Sequence, residues 1–141
     1  MLVEPHFEIF DHTADAGIRV RAATLPELIE PATRGLYAVI GELVAKGNSE
    51  DLEFDGSGDD PAVLLRDFLQ EALLLFETRH RIITSVDVPA FTPATLSVRG
   101  KTEAVDPERS VFYREVKAVT YHELAIHEIP GGHEAAVIVD I

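Results

Sequence analysis

Asp11-His12-Thr13-Ala14-Asp15 sets two carboxylates and an imidazole within five residues. Carboxylate oxygens suit magnesium and calcium, and an imidazole extends the choice to transition metals. The same residues equally make a hydrogen-bonded turn, in which Asp and Thr side chains bond nearby backbone groups. Spacing alone leaves both readings open. At the far end, residues 135–139 are apolar on both strand faces, as in an interior strand, and run into Asp140-Ile141. A chain that stops straight off a buried strand holds its terminal carboxylate firmly. Asp140 and that carboxylate then place two negative groups at one sheet end. Beside Asp15 they would repel, and a divalent cation would relieve the repulsion. Nothing in the spacing says that the two ends of the chain meet.

Lys117 is the third candidate, within Glu115-Val116-Lys117-Ala118-Val119-Thr120-Tyr121-His122. On a strand it shares a face with Val119 and Tyr121. An edge-strand lysine discourages sheet-to-sheet association, whereas a positioned ammonium neutralises an acidic site or contacts a phosphate. Glu71 lies on an apolar helix and is expected on its wet side. Gly56-Ser57-Gly58-Asp59-Asp60 sits where phosphate loops occur, between a strand and a helix. It lacks a third glycine and a following Lys-Ser/Thr, and two Asp residues occupy the anion position, so the phosphate reading fails. No nucleophile elbow, HExxH or EF-hand pattern is present.

These candidates must be carried by a scaffold. Residues 7–10 and 18–21 read as short strands flanking a turn or strand crossing. Thr24-x-x-Glu27 is a capping-box pattern opening a helix that runs to about Leu43. Pro31 inside it implies a kink or a shifted start. Leu52 and Phe54 alternate with Asp51, Glu53 and Asp55, giving a half-buried strand with an acidic outer face. Asp60-Pro61 is an N-cap followed by proline at the first helical position, and the strongly apolar helix behind it ends near Arg79. Strands are expected near 82–88, 95–100, 111–121, 124–129 and 134–140. Pro130-Gly131-Gly132 turns the last two into a hairpin. This order predicts an α+β domain over residues 1–141, with a mixed or antiparallel sheet and both main helices on one face.

The 141 residues are enough for one well-buried core. There is no cysteine, so disulfides, thiolate metal sites and thiol nucleophiles are excluded. The apolar runs are too short to span a membrane. The first residues lack the basic and apolar regions of a signal peptide. A cytoplasmic protein is expected. Its net charge is −13, from 25 acidic and 12 basic residues. That argues against an autonomous nucleic-acid binder, which needs Lys and Arg to neutralise phosphates. It permits a cation site or a basic protein partner.

Taken together, the His-Thr-Ala-Asp motif, Val116-Lys117-Ala118-Val119-Thr120-Tyr121-His122, and the final Asp140-Ile141 resemble the archease family. Residues 60–76 are similar to that family's Leu-Leu-rich helix, including the acidic position at Glu71. The resemblance covers essentially the whole chain. It implies an α+β fold and a protein cofactor that is not itself an enzyme. The family activates the RtcB-type RNA ligase of tRNA splicing, promoting its guanylylation and its multiple turnover. The resemblance also implies a divalent-cation site. Its metal ligands fall on Asp15, Asp140 and Ile141, the last through the chain-end carboxylate. Its activating lysine falls on Lys117, and Asp11 and His12 are motif neighbours. Calcium is the expected ion, ahead of magnesium or manganese. Phe68 stands where a Trp is common and Ile29 where a Phe is common, each keeping a large apolar side chain. Two rival readings use the same residues: a metal-dependent phosphohydrolase, and a chaperone-like interaction module without a metal role.

Overall fold

The computed structural model describes residues 1–12 and 15–141. Thr13 and Ala14, at the centre of the acidic N-terminal motif, lie outside the described residues. The chain runs β1 (His6–His12), β2 (Asp15–Ala22), a 3-10 turn (Pro26–Leu28), α1 (Ile29–Ile40), β3 (Gly41–Glu42), β4 (Glu50–Ser57) and α2 (Pro61–Arg79). It continues through β5 (Arg81–Phe91), β6 (Thr95–Ala104), β7 (Val111–Phe112), β8 (Ala118–Val119), β9 (Ala125–Ile129) and β10 (Gly132–Asp140). The pairings among the described strands are antiparallel. They form a five-stranded sheet in the order β1-β2-β10-β8, with β9 also on β10, a three-stranded sheet β4-β6-β5, and the short pair β3-β7. The helix pair packs against strands of both larger sheets.

Only half of the expected capping box forms: the Thr24 hydroxyl accepts the Glu27 N–H at 3.4 Å, but the Glu27 carboxylate accepts from the Thr24 hydroxyl at 3.0 Å instead of from a backbone N–H. The 3-10 turn that follows starts from Leu25 without a side-chain cap, and α1 follows it directly. Pro31 then falls in the first turn of α1, where backbone N–H groups have no intrahelical partner anyway. The start is shifted, and proline breaks no helical hydrogen bond. At α2, the Asp60 carboxylate accepts the Ala62 N–H at 2.9 Å and Pro61 takes the first helical position. The helix ends at Arg79, followed by His80 in the left-handed region at φ 53°. Glu71 is exposed, as expected.

Alternation on the strands builds the core. Ile18 and Val20 of β2 and Val137 and Val139 of β10 share the inner face of the larger sheet, and Leu96 and Val98 of β6 share that of the smaller one. Leu36 and Ile40 of α1 and Leu65, Phe68, Leu69 and Leu73 of α2 fill the space between. The acidic outer face expected on β4 is present, and β6 neutralises it: Arg99 lies 3.1 Å from Asp55, and Lys101 pairs with Asp51. Both carboxyls are held below their usual range by these hydrogen bonds. Such exposed pairs add little stability.

The expected strand over 111–121 is broken. Tyr113 and Arg114 donate their N–H groups to the Ile40 carbonyl at 2.8 and 3.3 Å, capping the end of α1. Pairing resumes only at Ala118. The competing helix terminus takes the hydrogen bonds that a continuous strand would need.

Tyr37 of α1 reaches the three-stranded sheet. Its hydroxyl accepts the Ile83 N–H at 2.8 Å, beside a register shift in the β5–β6 ladder. Burial pushes its phenol up to about 12, against an ordinary 10. The folded state thus keeps Tyr37 neutral where the unfolded chain ionises. This contribution is complete below pH 10 and is lost as pH rises to 12. At about 1.4 kcal/mol per unit, stability is expected to fall by about 3 kcal/mol across that window. Urea unfolding of wild type and Tyr37→Phe from pH 9 to 12 checks this, since the variant should lose that part of the slope.

Candidate functional site

The five-stranded sheet brings the separated candidates to one end. In β2, Ala16, Ile18 and Val20 point into the core, so Asp15, Gly17 and Arg19 lie on the outer face. β10 pairs with β2 in a register that sets Asp140 directly opposite Asp15. Opposed residues share a face, so the two carboxylates stand side by side on the outer surface. On the other side of β10, Asp140 pairs with Ala118, and the Lys117 N–H donates to the Asp140 carbonyl at 2.7 Å. The order across this sheet end is therefore His12, Asp15, Asp140, Ala118, with Lys117 beside it.

Asp11 pairs with Ala16, a core-facing residue, so Asp11 belongs to the face opposite Asp15 and Asp140. Ile141 follows β10 and packs, half-buried, against the core. Lys117 is exposed, and among the described residues its ammonium has no carboxylate partner. It precedes β8 and so does not share a strand face with Val119 and Tyr121 as an unbroken strand would require. Among the described residues, no group of three His, Cys, Asp or Glu side chains is placed to hold a metal ion. Two adjacent carboxylates are nevertheless the hard oxygen donors that calcium or magnesium takes.

Two features that sequence reasoning missed hold this arrangement. The first is a clamp from α2 onto β8. Gln70 Oε1 accepts the Val119 N–H at 3.0 Å, and Arg66 Nε donates to the Val119 carbonyl at 2.9 Å. The N–H and the carbonyl of Val119 are both satisfied by side chains of the helix, which fixes the segment carrying Lys117. The Arg66 guanidinium also lies 4.3 Å from the centre of the exposed Tyr121 ring. The signal was available: Arg66 and Gln70 are polar residues four apart, on one face of the helix. The second is the ring of Phe10, which lies over Gly17 next to Asp15. A β-carbon on Gly17 would stand 2.1 Å from that ring. Arg19 stacks on Phe10 at 4.6 Å and bonds Glu8 at 2.8 Å. The carboxylate pair thus borders an apolar ring and then a row of paired charges.

Residues 7–141 match the model of the Archease protein family (MTH1598/TM1083). This chain belongs to the archease family. A Methanopyrus kandleri protein named Protein archease is 34% identical over 138 residues, which cover 96% of this chain and 99% of its own length. A Pyrococcus furiosus protein of the same name is 32% identical over 136 residues, 94% of this chain and 96% of its own. The solution structure of Methanobacterium thermoautotrophicum protein 1598 superimposes with a TM-score of 0.74 at 30% identity, covering 96% of this chain and 98% of that one. A Thermotoga maritima crystal structure, described as an archease and possible chaperone, shares the fold with a TM-score of 0.70 at 17% identity, covering 95% and 96%. The resemblance drawn from the three motifs is thus correct as to family and as to the α+β archease fold. Among the described residues, no helix is long and apolar enough to cross a membrane.

Proposed function

We propose that this archease-family protein is a cytoplasmic activator of an RtcB-type RNA ligase in tRNA splicing, promoting ligase guanylylation and repeated turnover without itself catalysing ligation. One observation supports the reading above others: the β2–β10–β8 register that lays Asp15 opposite Asp140 and ties Lys117 to the Asp140 backbone. Residues some hundred positions apart converge on one exposed sheet end, with two carboxylates and an ammonium. A packed core needs no such convergence. An exposed site of this kind is suited to insertion at a partner's active centre.

Asp15 and Asp140, with the Ile141 carboxylate, would hold a divalent cation, calcium first and magnesium or manganese next. Bound there, the ion supplies positive charge to phosphate oxygens. So few protein oxygens fall short of the six to eight that calcium takes, so water or the ligase completes the shell. Lys117 would hold its ammonium against a phosphate or carboxylate as nucleotidyl transfer proceeds.

The test is ligase turnover. The cognate ligase, GTP, metal and excess split tRNA are incubated with and without substoichiometric protein, and covalent guanylate on the ligase is followed in parallel. Faster guanylylation and multiple turnovers only with the protein present are expected. No stimulation of a ligase competent for one turnover would sink the reading. The hydrolase alternative predicts turnover of a phosphoester panel, abolished in Asp15→Asn.

The cation has its own readout. In chelator, Asp140→Asn is expected to be more stable than wild type by up to about 1 kcal/mol, because it removes one of two like charges directly opposed on a sheet. With calcium at 100 times its Kd, wild type should gain about 2.7 kcal/mol and overtake the variant. Thermal melts of both proteins in chelator and in calcium decide it, and equal calcium shifts would remove Asp140 from the site.

A further inference from the structure

Resting on the ligase-activator reading, we propose that the hollow at the C-terminal end of α2 is a second docking point for the same partner. It takes an apolar side chain flanked by carboxylates. The hollow has a volume of about 410 Å³, and Phe76, Val105, Pro107 and Phe112 give it apolar walls. Lys46, Arg79 and His80 stand around it. Phe112 is 52% exposed, and its ring centre lies 6.5 Å from that of Phe76. Its neighbours Val111 and Tyr113 are 49% and 56% exposed. Consecutive large apolar side chains left in water mark an interaction surface.

The charge around the hollow names the occupant. The chain carries a net −13, and most of its basic side chains are tied to carboxylates. Among the described residues, Lys46, Arg109, Arg114 and Lys117 are not. Lys46 rims the hollow, and Arg109 and Arg114 lie within three residues of Phe112, whereas Lys117 belongs to the candidate site. An acidic segment, repelled elsewhere on this surface, meets opposite charge here.

Position ties the hollow to the candidate site. Phe112 precedes Lys117 by five residues, a span of at most about 18 Å. An ordinary interface of about 800 Å² a side is roughly 30 Å across, so one partner covers both points. The two points have opposite polarity, carboxylates at Asp15 and Asp140 and cations at the hollow. A partner that satisfies both has its orientation fixed.

The test titrates wild type, Phe112→Ser and Lys46→Glu against a fixed amount of the cognate ligase, with guanylylation rate as readout. Both side chains lie outside the core, and circular dichroism melts confirm folding. Each variant is expected to raise the half-maximal concentration about tenfold or more while keeping the maximal rate. Lys117→Ala should do the reverse. Zero-length carbodiimide coupling should join Lys46 to an Asp or Glu of the ligase. Wild-type titration curves for both variants would overturn the docking point and leave the activator reading standing. No stimulation by wild type would overturn both. Self-association of wild type in sedimentation, lost in Phe112→Ser, would assign the surface to a second copy and overturn the proposal.

Discussion

Phe68→Ala is expected to lower the unfolding free energy by about 3–5 kcal/mol, the largest stability effect of any single truncation discussed for this protein. Phe68 is 1% exposed, at the middle of α2. Its ring meets Phe54 of β4 edge-on, with centroids 5.4 Å apart and planes at 78°. Truncation therefore loses apolar burial and an aromatic pair, and leaves a void that the rigid sheets on either side cannot close. The damage should spread toward the candidate site, because Arg66 and Gln70 flank Phe68 on the helix and clamp β8. Denaturant unfolding measures the loss. Hydrogen exchange at the Val119 amide should rise in step. A loss below about 1.5 kcal/mol would mean that α2 moves freely enough to refill the space. Phe68→Trp fills the space instead of emptying it and should cost less, about 1–3 kcal/mol as overpacking does.

The elements that sequence made legible are those whose signals are local. The Asp60 cap, Pro61 and the apolar run placed α2 with its limits at Pro61 and Arg79. The Pro130-Gly131 turn placed the β9–β10 hairpin, with Gly131 at φ 80°. What stayed hidden depends on partners far along the chain. The break after Phe112 arises because the Ile40 carbonyl, seventy residues earlier, captures Tyr113 and Arg114. Residues 111–121 are rich enough in β-branched and aromatic residues for a strand, and nothing within them announces that competition. The candidate site shows the same division. Asp15, Lys117 and Asp140 stood out by type and motif, but their convergence is a matter of strand register, which a sequence leaves open. Register also separates Asp11 from Asp15, placing it on the other face although it is only four residues away. The divided sheets follow from the same cause, since β4, β5 and β6 satisfy their ladders among themselves.

Lys117→Ala is expected to reduce stimulated guanylylation of the ligase by about 100-fold, the cost typical of removing one positioned donor from a developing negative charge. The fold should not notice. Lys117 is exposed, and its structural role lies in its N–H bond to the Asp140 carbonyl, which alanine keeps. Thermal stability should therefore stay within about 0.5 kcal/mol of wild type. Lys117→Arg separates charge from geometry: it keeps the positive charge but replaces a compact ammonium by a wider planar fork, so partial activity is expected. Gln70→Ala supplies the remaining contrast. It leaves Lys117 intact and unties the Val119 N–H, so the ammonium is present but held less firmly. A structural role for the lysine alone would leave guanylylation unchanged in Lys117→Ala. A role as a positioned charge gives the order wild type, Lys117→Arg and Gln70→Ala between, Lys117→Ala lowest. Single-turnover guanylylation at saturating activator reads this order directly, because differences in partner affinity no longer contribute.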